Sequence, residues 1–436
     1  ASDAGGFGDD GDESIIKCGS YTGNGTNSNY IDFGFEPQWL LVKNATNGST
    51  PWLMIDNMRG WPAAPASAQQ ELIANGSNAE STGSNVGITS TGIGITTSAT
   101  PINASGSTYI YIAIRRPMKT PESGTEVFAT DTLGGTLPNP PAYYSGFAAD
   151  WSLSKRTSYT GDWFVGSRLT QGNYLKTNTT DAEVNEGTPN ITAFDYSTGV
   201  RAGTTVNSGF RGYMFKRATG FFDVVAYTGT AADGTQSTTL NHNLAATPEL
   251  MICKRRNGAN GWISYHKDLN GGVNPQEYYI YLDRTQGSGG PDSIAWGTST
   301  GGGVAPTSTE FTVGAYNDNG SSGNTYIAYL FASVAGVSKV GSYTGTGSNV
   351  DVNCGFSAGT RFILIKRTDS TGDWYVYDSV RGIVAGNDPY LLLNSTAAEV
   401  TNTDYIDPLA SGFTVTSTAP AALNASGGTY IFLAIA

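Results

Sequence analysis

Cysteine, histidine and charge are all scarce in this chain, and each shortage narrows what it can be. Three cysteines among 436 residues cannot build a disulfide framework. Cys18, Cys253 and Cys354 fall at well-separated positions and read as small buried hydrophobes. Histidine occurs only as His242 and His266, which leaves little room for a Ser-His-Asp or Cys-His device, and both read as packed or surface side chains. No catalytic residue is assigned and no enzymatic activity is expected. Charged residues make up 14% of the chain and the net charge is −12, so a phosphate backbone would be repelled and nucleic acid is not an expected partner. No stretch approaches the 18 apolar residues that a membrane-spanning helix needs. Helical periodicity is nearly absent, apart from short helical turns expected near Ser67–Asn75.

What the chain does have is glycine, 57 residues of it, with abundant Ser, Thr and Asn and 11% aromatics. That mixture describes short strands joined by polar turns, with enough aromatic bulk to fill cores. A pattern recurs four times: an apolar strand ends in lysine, and a tryptophan follows eight or nine residues later. The pairs are Lys43 with Trp52, Lys155 with Trp163, Lys254 with Trp262 and Lys366 with Trp374. Around them recur an opening Tyr-Thr-Gly, a central Tyr-Leu and a closing strand such as TYIYIAI (108–114), TYIAYLF (325–331) and TYIFLAI (429–435).

Alternating strands with turn signals every 8–12 residues give an all-β chain of four tandem antiparallel β-sandwich repeats. The expected boundaries are a flexible acidic arm at 1–13 and repeats at 14–116, 117–220, 221–336 and 337–436, the second and third divergent. The FILI strand (362–365) is expected to be central and covered on both faces. Asn103 and Asn424 are expected to enter tight turns, with Asn in left-handed geometry and Gly supplying positive φ. The repeated tryptophans are expected to pack between the sheets or over one end.

Repeat four reads Gly372-Asp373-Trp374-x-x-x-Asp378-Ser-Val-Arg381-Gly382, then Tyr390-Leu391, Asn394, Glu399 and Ser411-Gly412-Phe413. Repeat one matches it with Trp52, Asp56, Arg59-Gly60 and Glu80. This pattern resembles a β-sandwich module of bacteriophage tail-fibre and other virion proteins, especially marine ones, related to laminin-G and concanavalin sandwiches. The resemblance covers about half the chain and is weakest in the middle repeats. It implies a virion structural protein, foremost a tail fibre or appendage for adsorption to a host-surface glycan. The implied location is the extracellular particle surface. The implied partners are other virion proteins and a host glycan or receptor, in a homo-oligomer for which a trimer is common among fibres. A capsid decoration or shell-associated assembly protein is one alternative, and a glycan depolymerase is another.

The motif residues Trp52, Asp56, Arg59, Trp374, Asp378 and Arg381 read as structural. Asp378 with Glu399, or Asp56 with Glu80, could in principle form a glycosidase pair, but a pair repeated in two modules is better explained as a tie between strand and loop. The unrepeated aromatics Trp61, Tyr143, Tyr144 and Trp296 are the candidates for contact with a glycan or neighbouring subunit, with a local loop anchor as the other reading. Asp9-Asp10-Gly11-Asp12 and Asn317-Asp318-Asn319-Gly320 are oxygen-rich and could take Ca²⁺, although neither has EF-hand spacing, so no metal is assigned. No other cofactor is expected.

Overall fold

A computed structural model describes residues 15–65, 69–83, 85–132, 141–170, 172–185, 194–201 and 209–436. The acidic arm, the Asp9–Asp12 cluster and part of the Ser67–Asn75 stretch lie outside them. The chain is all-β and forms two compact units. The first comprises Ala1–Met118 with Arg168–Gln171, and the second Lys119–Ser167 with Gly172–Ala436.

In the first unit, strands of 2–8 residues make the larger sheet. Its order is Ile16–Thr22, Thr108–Arg115, Pro37–Asn44, Trp52–Asp56, Gln70–Ile73 and Ser81–Thr82. The closing strand thus sits between the opening strand and the lysine-ended strand, all antiparallel. A second sheet of Asn29–Asp32, Gly92–Ile95 and Val86–Thr89 covers one face. Period-two geometry sends Leu40, Val42, Tyr109, Tyr111 and Ala113 to that covered face. There Phe33 meets Tyr111 at 4.7 Å between ring centres. The helical turns expected near Ser67–Asn75 are replaced by the strand Gln70–Ile73, because Glu71 and Leu72 pair with Ile55 and Met54. Cys18 is exposed rather than buried, because it lies opposite Ile112 on the uncovered face.

The second unit repeats this strand order three times. In the stretch 117–220 the order is Phe128–Thr132, Phe210–Phe215, Trp151–Arg156 and Trp163–Ser167. In 221–336 it is Phe222–Thr228, Thr325–Phe331, Leu250–Arg255, Trp262–His266 and Ile280–Tyr281. In 337–436 it is Ser338–Thr344, Thr429–Ile435, Phe362–Arg367, Trp374–Asp378 and Leu391–Leu392. Phe362–Arg367 is central in its sheet, and five of its six residues are buried, as the apolar FILI run requires. Ile363 and Ile365 face a cluster with Phe413, Tyr430 and Phe432 inside their own sandwich, while Phe362 and Leu364 face outward from it.

The repeated opening Tyr-Thr-Gly has a local cause. The Tyr21, Tyr227 and Tyr343 hydroxyls each donate to a carbonyl before the closing strand, of Ile102, Asn319 and Leu423, each at 2.7 Å. A Cβ on Gly345 would sit 2.4 Å from the Ala425 carbonyl oxygen, so only glycine lets the chains approach there. The turn glycines Gly106 and Gly427 have φ of +74° and +75°. Asn103 and Asn424 differ from the expected left-handed turn. Each ends a four-residue helix and is buried, its side-chain amide tying down the loop opposite. Asn424 Nδ2 donates to Ser348 and Thr416 carbonyls, both at 2.8 Å.

Candidate functional site

The three lysine–tryptophan pairs of the second unit are not sandwich-core pairs. They form the seams of a closed ring. Each lysine is fully buried at the end of its strand and reaches the carbonyl two residues before its own tryptophan: Lys155 to Gly161, Lys254 to Asn260 and Lys366 to Gly372. Each then crosses to the preceding member of the ring. Lys155 donates to Ser395 at 3.3 Å, Lys254 to Thr180 at 2.9 Å and Lys366 to Thr285 at 2.9 Å. Burial pushes all three amines down to about 8, and the carbonyl cradles favour the protonated form.

The tryptophans make the same cyclic contact. The indole N–H of Trp163 donates to the Leu392 carbonyl at 2.8 Å, that of Trp262 to Lys176 at 2.8 Å and that of Trp374 to Tyr281 at 2.9 Å. The acceptor loop is held by an asparagine or an aspartate in each member. Asn178, Asp283 and Asn394 each accept the backbone N–H of the tryptophan in their own sandwich. Further bonds run from Glu399 N–H to Thr157, Glu183 N–H to Arg256 and Ser288 N–H to Thr368, each 2.8 Å. Three head-to-tail interfaces of one kind therefore close on themselves.

The outward faces of the three larger sheets meet at the centre of this ring. Trp151, Leu153, Thr177 and Phe215 come from one member. Ile252, Trp262, Leu282 and Phe331 come from the next, and Phe362, Leu364, Leu393 and Leu433 from the last. They leave a void of only about 20 Å³. Each contributing sheet is consequently buried on both faces. The repeated tryptophans Trp163, Trp262 and Trp374 correct the expectation of packing between sheets or over an end. Their strand parity turns them away from their own second sheet and into the seam.

The Asp-x-x-Arg motif is a strand-to-loop tie. Arg381 Nε meets Asp378 Oδ2 at 2.5 Å, its Nη1 reaches Glu399 at 3.0 Å and its Nη2 donates to the Val376 carbonyl at 2.8 Å. Arg59 repeats this with Asp56 at 2.6 Å, Glu80 at 3.3 Å and the Met54 carbonyl at 3.2 Å. Burial alone would raise the Asp378 carboxyl, but Arg381 holds it below the usual carboxylate range. That is the opposite of what a general acid needs. The Tyr213 hydroxyl donates to the same Asp378 Oδ2 at 2.9 Å, joining two ring members. His266 takes the equivalent place in the third segment, where burial pushes its imidazole down to about 3.

The unrepeated aromatics part company. Trp61 and Trp296 are fully buried, with indole N–H groups bonded to the Val86 carbonyl at 3.0 Å and the Tyr278 carbonyl at 2.9 Å. They are loop anchors and present no face to a ligand, which corrects their candidacy. Tyr143 is also buried, paired with Val200 in a two-residue strand, whereas Tyr144 is 62% exposed. Of the four, only Tyr144 is placed to touch a partner. In the Asn317–Gly320 stretch, Asp318 accepts from the Tyr281 hydroxyl at 3.2 Å, and Asn319 is buried with its amide on the Ala295 carbonyl. No cluster of three or more His, Cys, Asp or Glu suited to a metal ion occurs among the described residues.

One feature escaped sequence reasoning. An open groove of about 660 Å³ runs between the third and fourth segments, lined by Asp268, Asn270, Ser288, Thr368, Asp369 and Tyr430 among others. Arg367 holds the Asp369 carboxylate with two bonds of 2.9 and 3.1 Å, and that pairing lowers its pKa. Asp268 and Tyr430 stand about 160 positions apart in the chain, so no local motif marks these residues.

A family model described as "Domain of unknown function (DUF7483)" matches residues 13–117 and 145–436, so the chain belongs to that family. A comparison with curated proteins gave no match.

Proposed function

We propose that this chain is a structural component of a bacteriophage particle, a tail fibre or equivalent surface appendage that adsorbs to a host glycan. The carrying observation is the use of the best-defined motif residues. Lys155, Lys254, Lys366 and their tryptophans are bonded to backbone carbonyls in ring seams, which is the design of a rigid building block. The groove beside Asp268 and Asp369 supports a glycan-binding role. Its carboxylates and hydroxyls can accept from and donate to sugar hydroxyls.

Two measurements test this reading. Gold-labelled antibody on intact particles should decorate the tail. Label on the shell would favour a capsid-associated role, and finding no attached virus would sink both. The purified chain should bind a host-surface polysaccharide without shortening it, and Asp268→Ala should weaken that binding while leaving thermal unfolding unchanged. Steady release of oligosaccharides would instead identify a depolymerase.

A further inference from the structure

The first unit carries the same seam parts as the ring members, and among the described residues these parts are not bonded to a neighbouring sandwich. Lys43 donates to the carbonyl of Thr50, two residues before Trp52, at 2.5 Å, as each ring lysine does in its own hairpin. Asn75 accepts the Trp52 backbone N–H at 3.0 Å, as Asn394 does for Trp374. The Ile73 carbonyl accepts from Gly76 N–H at 3.1 Å, matching Leu392 and Ser395 at 3.2 Å. In the ring, Leu392 uses its second lone pair for the indole of Trp163. In the first unit the Trp52 indole N–H has no acceptor among the described residues, and the loop from Ala74 to Ser77 is exposed.

The sheet face tells the same story. Ile110 and Ile112 are 41% and 37% exposed, whereas their counterparts Ile431 and Leu433 are 1% and 3% exposed. Trp39, Leu41, Trp52 and Met54 stand partly exposed beside them, although the counterparts Leu364 and Trp374 are buried. A contiguous apolar sheet face of this kind marks an interaction surface.

We infer that the first units of three copies of this chain close a second ring, so that the protein is a homotrimer held through residues 16–115. The occupant must be another copy, because the acceptor loop and the lysine–tryptophan patch are the two halves of one seam and both lie on this unit. All three seams of the second unit are filled by its own members, so it has no vacancy. A twofold pair is disfavoured because the two patches differ, and head-to-tail contact between them closes at three in the ring already described. In the assembled state, Trp52 donates to the Ile73 carbonyl of the next copy and Lys43 to its Gly76–Ser77 carbonyls. Ile110 and Ile112 line the axis. This inference does not depend on where the protein works.

The test is the mass of the full chain in solution by light scattering over a wide concentration range. Three times 45.7 kDa is expected. Ile112→Asp, on the open sheet face, and Ala74→Arg, on the acceptor loop, should each reduce the mass to one third. Both positions are exposed or near the surface in the single chain, and an unchanged circular dichroism spectrum confirms folding. A wild-type monomer or dimer, or trimers that persist in both variants, would overturn the inference.

Discussion

Trp374 donates its indole N–H to the carbonyl of Tyr281 at 2.9 Å, across 93 residues of sequence and from one sandwich to the next. Trp374 is 1% exposed in this seam. Its two counterparts, at Trp163 and Trp262, make the contact a rule of this architecture.

Replacing Trp374 with Phe should therefore cost about 2 kcal/mol, because it leaves the partly buried Tyr281 carbonyl without its donor and a gap beside it. Urea unfolding followed by far-UV dichroism checks this. A change within error of zero would mean that the seam is wet.

Lys366→Met should cost more than Lys43→Met in the isolated chain. Lys366 is fully buried and feeds carbonyls of Arg284, Thr285 and Gly372, all of which lose a donor. Lys43 is only partly buried and serves its own hairpin. The expected losses are about 3 kcal/mol and about 1 kcal/mol or less, read from denaturant midpoints under conditions where the protein is monomeric.

Asp378→Asn and Asp56→Asn offer a matched pair. The first strips the carboxylate from an arginine that is 4% exposed, and should destabilise by about 3 kcal/mol. In the second, Arg59 and Asp56 are 21% and 22% exposed, so water screens the loss and about 1 kcal/mol is expected. Comparable losses would mean that the ring adds nothing to the motif.

The second unit should lose stability in acid through His266. Its folded pKa of about 3 lies below the ordinary value of 6.5, so the unfolded chain binds the proton first. The stability it contributes is full above pH 6.5 and falls as pH drops towards 3, with a slope of up to about 1.4 kcal/mol per pH unit. Asp388, raised to about 7 mainly by burial, acts in the opposite sense, since its folded form keeps a proton that the unfolded chain releases. The informative quantity is the difference between wild type and His266→Gln, which should shrink the acid loss. Parallel curves for the two proteins would show that His266 does not titrate on unfolding.

Much of the fold was legible because strands carry a period of two. The FILI strand announced its central place, and Tyr430 and Gly427 marked the closing turn. The Asp378–Arg381 tie was legible too, because its partners sit three residues apart. Trp61 and Trp296 misled for a specific reason. Their neighbours are Gly, Pro and Ser, which signal a loop, but nothing nearby in sequence shows that the carbonyls of Val86 and Tyr278 wait above them. The groove at Asp268 and Asp369 was hidden for the same reason, since it exists only where two loops from different sandwiches converge.

The sequence by itself determined the unit: its short apolar strands, the glycine turns between them and the repetition of lysine before tryptophan. Alternation shows that a strand has two apolar faces, yet not which face meets its own second sheet and which meets a neighbour. Backbone carbonyls accept the lysines and indoles in the seams, and every residue has one, so they leave no mark in composition or motif. Only the tertiary structure could decide that three units close upon each other while the first keeps its matching face open.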